Sequence, residues 1–440
     1  MGTLQRIGER MGILPRTHNH GQRICLAPWT SMNFTIDGHV SVCCLNRVTS
    51  IPLAGRTLLD IWNGPEFQKL RAHVTEGDLS YDCSVCKAQF DAGNRAGLKA
   101  NDYQKFAPPH PRFPKVMEFC LDNTCNLACT MCNSVLSSTI RKERGLPPHR
   151  RLYDDSFVKG LEPFIPHLQE AVFSGGEPFL IPLYYRIWEM MVELNPDIII
   201  SVVTNGTMLN DRIRELLERG RFRINVSIDS VNPETYAAIR RNADFEKVMR
   251  NFQWYREYGE RKGLRVNIPV CLLTLNWPEL PQIVRFANLQ NVSVNFVHVD
   301  RPVNLALLYS ERDVLLKVLS SLEKESIFAN NDVAVINVGR FKGVIDEIAE
   351  LCLRTELEEK GIQSFREGHG LKQQCSDDII GQSLPKEVLL ALDRIPVQDC
   401  QVILEYLQRA PFERIEQFFS GKTVDETMVI LTELVGEKAP

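Results

Sequence analysis

Cys125, Cys129 and Cys132 form a C-x3-C-x2-C set within eight residues, inside the stretch from Val116 to Ser134. Three thiolates this close can reach one metal centre, and soft sulfur ligands select iron–sulfur clusters or zinc. A cubane cluster takes four cysteines, so three leave one iron free to bind a small molecule. A zinc knuckle would need Cys120 as its fourth ligand. That residue lies within an apolar run that reads as a strand, and the paired C-x2-C knuckles of such sites are missing here. A second set, Cys25, Cys43, Cys44, Cys83 and Cys86, offers thiols of which four suit a structural zinc or a fully ligated cluster about equally well by spacing. The segment Phe34 to Val42 reads as a hairpin turning at Asp37-Gly38, which would fold the strand ending at Cys43 back beside the strand after Cys25. The hairpin alone leaves open which of Cys43 and Cys44 would be the ligand.

The elements that must position these thiols alternate. Apolar runs at 116–121, 170–174, 198–204, 222–229, 265–273 and 292–299 read as strands, and the segments 130–144, 154–168, 182–194, 210–219, 233–258 and 278–290 have helical spacing. Asp154, Pro182, Asp211, Pro233 and Pro278 sit where helix first turns begin. Six strand–helix units with mostly apolar strands predict an α/β fold, a parallel sheet covered by helices, in the form of a partial (β/α)6 barrel of the TIM type. Reactive groups then belong at the carboxyl ends of the strands, and the cysteine loop follows the first strand. At the same rim fall Gly175-Gly176-Glu177-Pro178 after the second strand, Thr204-Asn205-Gly206 after the third, and Ser227 and Asp229 ending the fourth. Paired glycines permit unusual backbone angles and close approach to main-chain groups. Asn, Ser and Asp at such positions also serve as plain turn and cap residues.

Length and composition bound the rest. With 440 residues, two to three domains and ample core are expected; 44% hydrophobic and 24% charged content is ordinary for a globular protein. A net charge of −4 gives no electrostatic case for nucleic acid. No stretch approaches the ~20 apolar residues of a membrane span, and the N-terminus lacks a signal-peptide core. A cytoplasmic protein is expected, in which thirteen cysteines, nine of them before residue 133, point to metal rather than disulfides. The organisation expected is a lead-in at 1–23, a small cysteine-rich domain at 24–90, a polar then Pro-rich linker at 91–114, the barrel at 115–301 and a helical C-terminal region at 302–440. That last region closes with helical stretches at 399–409 and 411–419 and a helix whose capping box is Thr423-x-x-Glu426. It reads as a packing or docking module. Cys352, Cys375 and Cys400 are isolated and read as structural.

C-N-L-A-C-T-M-C resembles the cluster loop of the radical S-adenosylmethionine (SAM) enzymes, and S-G-G-E-P one unit later resembles their GGEP motif. The resemblance implies a [4Fe-4S] cluster on Cys125, Cys129 and Cys132 whose open iron chelates SAM. It also implies that Gly175, Gly176 and Glu177 hold the SAM amino group, Glu177 facing the ammonium, and that Thr204, Asn205, Ser227 and Asp229 are candidates for ribose or carboxylate contacts. A one-electron donor such as flavodoxin or ferredoxin would reduce the cluster, and a 5′-deoxyadenosyl radical would take a hydrogen atom from a substrate.

Residues 24–90 are similar to a twitch domain, the shortened SPASM module, and this implies an auxiliary [4Fe-4S] cluster on Cys25, Cys43, Cys83 and Cys86. Where the full SPASM pattern continues with a further cysteine, this chain has Ala92, so one auxiliary cluster is expected. The module precedes the core here, whereas in well-known members it follows. Substrates implied are a peptide, as in ribosomal-peptide maturation, or a small natural-product intermediate such as an aminoglycoside-type sugar. A non-enzymatic metal scaffold is the rival class. Cys271, in the fifth strand on one face with Asn267 and Pro269, resembles the hydrogen-donor cysteine of radical epimerases; free cysteine is also among the most buried residue types.

Overall fold

Nine strands form one sheet in the order β3-β2-β1-β4-β5-β6-β7-β8-β9. The computed structural model describes residues 24–46, 51–81, 83–91, 98–107 and 112–369, with 388, 423, 424 and 427. The lead-in, Cys375, Cys400 and the expected C-terminal helices fall outside them, apart from a main-chain bond from Thr427 N to Thr423 O (3.0 Å). The chain forms two units, 1–345 and 346–440. In the second, Ile348 and Cys352 are buried along the helix Asp332–His369. Among the described residues no helix is long and apolar enough to cross a membrane.

Six parallel strands make the core: β4 (Val116–Phe119), β5 (Glu170–Phe173), β6 (Ile199–Thr204), β7 (Phe222–Val226), β8 (Asn267–Cys271) and β9 (Ser293–Val297). Each lies within the range its apolar run predicts. The side chains alternate. Met117, Phe119, Ala171, Phe173, Ile200, Val202, Ile224, Val226, Ile268 and Val270 are buried on one face. Glu118, Ser201, Asn225 and Asn267 belong to the other, where Asn225 Nδ2 donates to Ser201 Oγ (3.0 Å) and Asn267 Nδ2 to Asn225 Oδ1 (2.8 Å). The apolar face meets the helices. Pro182–Leu194 starts with Pro at its first position and lays Trp188 against Phe173, ring centroids 5.4 Å apart.

Three helical stretches differ from their sequence-based ranges; one, 154–168, is helix only over Asp155–Leu161, with a 3-10 turn at Ile165–His167. Residues 130–137 stay non-helical and helix begins only at Ser138, because Ser137 caps it by accepting from Ile140 N. The stretch 233–258 divides into Pro233–Ile239 and Phe245–Lys262, parted at Asn242, which takes φ 72°, with Asp244 capping the second helix through Lys247 N.

The N-terminal cysteine-rich segment continues the barrel sheet. The hairpin of β1 (Ser31–Phe34) and β2 (His39–Ser41) turns at Gly38 (φ 79°), and β3 (Ile51–Pro52) pairs with β2. β1 pairs in parallel with β4, Ser31 opposite Val116 and Phe34 opposite Phe119. Phe34, Phe119 and Phe173 stack across three strands at centroid spacings of 5.2 and 4.7 Å. The stretch 91–114, read from its composition as a linker, is packed over 98–107: Tyr103 and Phe106 bury against Leu26, Ala27 and Val116. Polar atoms from this segment reach the barrel's carboxylates. Tyr103 Oη donates to Glu118 Oε1 and Lys105 Nζ to Glu170 Oε2, both at 2.7 Å. At the far edge, Asn337 Oδ1 accepts from Val294 N (2.9 Å), Asn337 Nδ2 donates to Val292 O (2.9 Å) and Arg340 Nη1 donates to Val294 O (2.8 Å), so side chains of the helix Asp332–His369 meet the main chain of β9.

Candidate active site

The cysteine loop leaves β4 at Cys120 and is held before any ligand is considered. Ser138 Oγ accepts from Cys125 N (3.0 Å) and donates to Cys125 O (3.1 Å), Thr139 Oγ1 donates to the same carbonyl (2.7 Å), and Ser137 Oγ donates to Leu127 O (2.7 Å). Cys132 N closes a turn on Cys129 O (3.0 Å). From across the rim, Ala128 N donates to Arg241 O (3.1 Å) and Thr130 N to Ile239 O (2.9 Å). Burial raises the Cys125 thiol to about 11, and Cys129 and Cys132 add to that shift because the three are neighbours. Cys120 keeps company with Ser174 and Asp37 instead, and stays out of the trio.

Gly175 and Gly176 serve this loop. Beyond the β4–β5 ladder the pairing continues as Gly176 N to Asp122 O (3.1 Å) and Glu177 N to Thr124 O (2.7 Å). A Cβ on Gly176 would lie 2.2 Å from Thr124 O, and Gly175, at φ 117°, would place one 2.8 Å from Asp122 O. Only glycine allows that approach, so the phase between the two motifs has a steric cause.

The remaining candidates are brought to the same rim, yet several are used differently from expectation. Glu177 is fully buried, and its carboxylate accepts from Thr204 Oγ1 (2.7 Å), Asn205 N (2.7 Å) and Phe179 N (3.2 Å). Burial pushes it up to about 7, against the pull of those donors. An ammonium partner needs an open carboxylate face; this one is turned inward and fixes the Thr204-Asn205 turn. Thr204 is spent in the same contact. Asn205 is buried and turned toward the cysteine loop: its Nδ2 donates to Asn126 Oδ1 (2.9 Å) and points at Cys125 Sγ (4.0 Å), and its Oδ1 is held by Thr207. Ser227 N donates to Thr204 O (2.9 Å), which ties the third and fourth strand ends together.

Asp229 has no exposed surface and is likewise committed, to Arg240 Nε (2.5 Å) and Cys271 N (2.7 Å), rather than open to a ligand. Arg240 escaped the sequence reading. It terminates Pro233–Ile239 and looks like any surface arginine, yet its side chain is only 11% exposed and its Nη1 points at Cys129 Sγ (3.8 Å). Burial works against its charge, but Asp229, together with Cys129, Cys271 and Tyr236, outweighs that and keeps it charged. Cys271 faces the same group: burial, then Asp229, raises its thiol to about 12. β8 alternates as expected, with Asn267, Pro269 and Cys271 half-buried and Ile268 and Val270 buried.

The second cysteine set also gathers. Burial raises Cys25 to about 12, Cys83 and Cys86 contribute, and Ala27 N donates to Cys25 Sγ (3.4 Å). Cys43 lies by Cys25, whereas Cys44 is exposed and faces Lys99 and Glu118. Among the described residues no three Cys, His, Asp or Glu side chains are grouped so as to hold a single metal ion; the thiols of each set are neighbours, and the N–H groups aimed at their sulfurs are a common arrangement around iron–sulfur clusters, whose ligands lie further apart.

Comparison with known proteins agrees with this chemistry. Residues 121–287 match the radical SAM superfamily, and residues 25–87 match SPASM, an iron–sulfur cluster-binding domain. The chain thus carries a radical SAM domain, which implies a [4Fe-4S] cluster and SAM, behind a SPASM-type domain that implies auxiliary iron–sulfur binding. It is 27% identical over 201 residues to a GTP 3′,8-cyclase of Rhizobium etli, covering 44% of this chain and 54% of that protein. A GTP 3′,8-cyclase of Streptomyces coelicolor is 30% identical over 182 residues, covering 40% and 50%. The chain thus spans about half the length of the curated relatives it matches. Among solved structures, anSMEcpe with bound AdoMet aligns at a TM-score of 0.36 and 19% identity, covering 47% of this chain and 58% of that one. Streptococcus suis SuiB bound to S-adenosylmethionine aligns at 0.36 and 13%, covering 60% and 59%.

Proposed function

We propose that this protein is a radical SAM enzyme that abstracts a hydrogen atom from a peptide or natural-product substrate and uses an auxiliary [4Fe-4S] cluster. The observation that carries the reading is the rim itself. Cys125, Cys129 and Cys132 lie on a loop clamped between Gly175-Gly176 and the 239–241 turn, with Asn205 and Arg240 aiming N–H groups at their sulfurs. When bound, a four-iron cluster with SAM on its open iron supplies one-electron cleavage of SAM to methionine and a 5′-deoxyadenosyl radical. The protein's part is to orient and to exclude competing reactions. Ser138 and Thr139 fix the Cys125 main chain, Glu177 fixes the turn that presents Asn205, and Asp229 fixes Arg240. Cys25, Cys43, Cys83 and Cys86 would hold the auxiliary cluster with every iron ligated, as a relay or a clamp. A flavodoxin- or ferredoxin-type donor in the cytoplasm would supply the electron.

Anaerobic reconstitution tests this. The brown protein should hold about eight irons for two four-iron clusters and release 5′-deoxyadenosine on reduction with SAM. Cys129→Ala should abolish that release; a variant that still cleaves SAM at the parent rate rules the assignment out. Cys83→Ala should keep part of the SAM cleavage while losing turnover of the true substrate.

A second reading takes a small-molecule substrate, supported by the relatives named GTP 3′,8-cyclase. GTP consumption by the reconstituted enzyme distinguishes it from a peptide substrate. In either reading the Cys271 thiol, beside Asp229 and Arg240, is suited to give a hydrogen atom back to a substrate radical. Turnover in deuterated water should then place one deuterium at the reacting carbon; product free of solvent deuterium removes Cys271 from the chemistry.

A further inference from the structure

Cys132 brings the cysteine loop to the surface: its Sγ lies 3.8 Å from Asn133 O at an exposed position, whereas Cys129 is buried. The chain that follows stays on that surface. Asn133 Oδ1 accepts from Val135 N (2.9 Å) and Leu136 N (3.1 Å), closing a turn on which Val135 is 46% exposed. Arg141 Nη1 donates to Ser134 O (3.4 Å) and its Nε to Pro147 O, so a second turn, with Leu146 42% exposed, stands beside the first. Two exposed apolar side chains alone need no explanation. The charge around them does. Arg141, Lys142, Arg144, Arg150 and Arg151 fall within eleven residues of a chain whose net charge is −4. Glu143 is the one acid among them, and Arg241 Nη2 neutralises it (2.6 Å) while Arg241 Nε donates to Ala128 O (2.8 Å) on the cysteine loop. Asp154 and Asp155, next along the chain, are taken up by a helix cap and by Arg186. Arg151 pairs with Asp122 (3.0 Å), and Lys142, Arg144 and Arg150 are exposed. The cations ride on the helix Ser138–Glu143 and the segment after it, and Ser138 and Thr139 of that helix hold Cys125, so patch and cysteine loop are one piece.

We propose that this face, Val135 and Leu146 flanked by Arg141, Lys142, Arg144 and Arg150, is the docking site of an acidic one-electron carrier protein that reduces the centre held by Cys125, Cys129 and Cys132. This rests on the iron–sulfur reading above. Charge complementarity identifies the partner, and Cys132 gives the reason for its place: a substrate has to enter the barrel, whereas an electron has only to reach the surface thiol. Redox encounters bury little area and depend on steering, and a small apolar centre with a charged rim has that anatomy. Opposite charge raises the rate of such encounters by about 10 to 1,000-fold, and salt removes the advantage.

The test uses the full-length reconstituted protein with SAM, and a reduced acidic flavodoxin as donor. Electron transfer is followed by the flavin absorbance, and docking by the Kd for oxidised flavodoxin, where no electron moves. The parent should be reduced more slowly as salt is raised. Lys142→Glu combined with Arg144→Glu should slow transfer at low salt by about tenfold or more, raise the Kd by a similar factor and flatten the salt dependence. Reduction by photoreduced deazaflavin, a small uncharged reductant, should stay at the parent rate. Arg144→Lys, which keeps the charge, should keep the flavodoxin rate. A double variant that binds flavodoxin and accepts its electron as the parent does overturns the site. So does loss of affinity for a single-stranded RNA oligonucleotide with flavodoxin rates unchanged, which would give the face to nucleic acid. Should the double variant load less iron, Arg150→Glu, outside the helix, decides by the same comparison. A parent protein that takes up no iron, or that deazaflavin does not reduce, overturns the underlying reading instead.

Discussion

Glu177 illustrates how one residue type can serve two purposes that sequence does not distinguish. Its place in Gly-Gly-Glu-Pro suggests a carboxylate for an ammonium, but the side chain is sealed under the third strand end. The consequence is a pH dependence of stability. Burial raises its folded pKa from an ordinary 4.5 to about 7, so the folded state binds this proton more tightly than the unfolded chain. The stabilisation is complete below about 4.5 and is lost as pH rises through 7, on the order of 3 kcal/mol over the whole interval. Thermal melts of the iron-free protein should show this decline, and Glu177→Gln should flatten it; parallel curves for the two proteins would mean that Glu177 does not titrate there. Gly176→Ala is predicted to be worse for function than for size. Its Cβ meets the Thr124 carbonyl, and the strain, at least about 1–3 kcal/mol, falls on the residue just before Cys125. Iron content after reconstitution should drop sharply, while an alanine at the open Gly145 position would need only the modest cost of its positive φ and should load normally.

At the scale of elements, the sequence was legible wherever a signal is local. The turn at Gly38 and the alternation along β8 both lie within a few residues, and the structure follows them. The missed features depend on partners far apart in sequence. Arg240 acquires meaning only through Asp229 and Cys129, and the segment 98–107 reads as linker because its two aromatic anchors are diluted by polar neighbours. The edge of β9 is another such case. A free strand edge invites pairing with other chains, and here Asn337 and Arg340 occupy its main-chain groups from a helix. Asn337→Ala would strand the Val294 N–H and the Val292 carbonyl, at about 1–3 kcal/mol. The measurable result is a lower midpoint in denaturant with an unchanged slope, accompanied by faster hydrogen exchange at Val294 and by concentration-dependent association. Unaltered exchange there would mean that water replaces the amide at no cost.

For the whole molecule, the sheet makes the N-terminal cysteine module and the barrel one folding unit within residues 1–345. β1 covers the edge of β4, while Tyr103 and Lys105 answer carboxylates on β4 and β5. A chain beginning at residue 112 should therefore expose a strand edge, leave Glu118 and Glu170 short of partners, and fail to give soluble protein. In the full chain, amides of 31–34 and 116–119 should exchange in a single cooperative step. Protection of 116–119 that outlasts that of 31–34 by orders of magnitude would show two independent units.

The β1–β4 pairing also has a consequence for biosynthesis. Ser31 leaves the ribosome long before Val116, so the module's hairpin must wait with an open edge until the first barrel strand arrives, and parallel pairing over such a separation is slow. Cys25 and Cys43 flank that waiting strand, and Cys43 is immobilised only once 98–107 and β4 have docked on it. The nascent chain therefore offers its N-terminal thiols to metals and oxidants before the pocket meant for them is closed. An auxiliary centre held by these thiols is therefore expected to load after the first turn of the barrel has formed rather than before it.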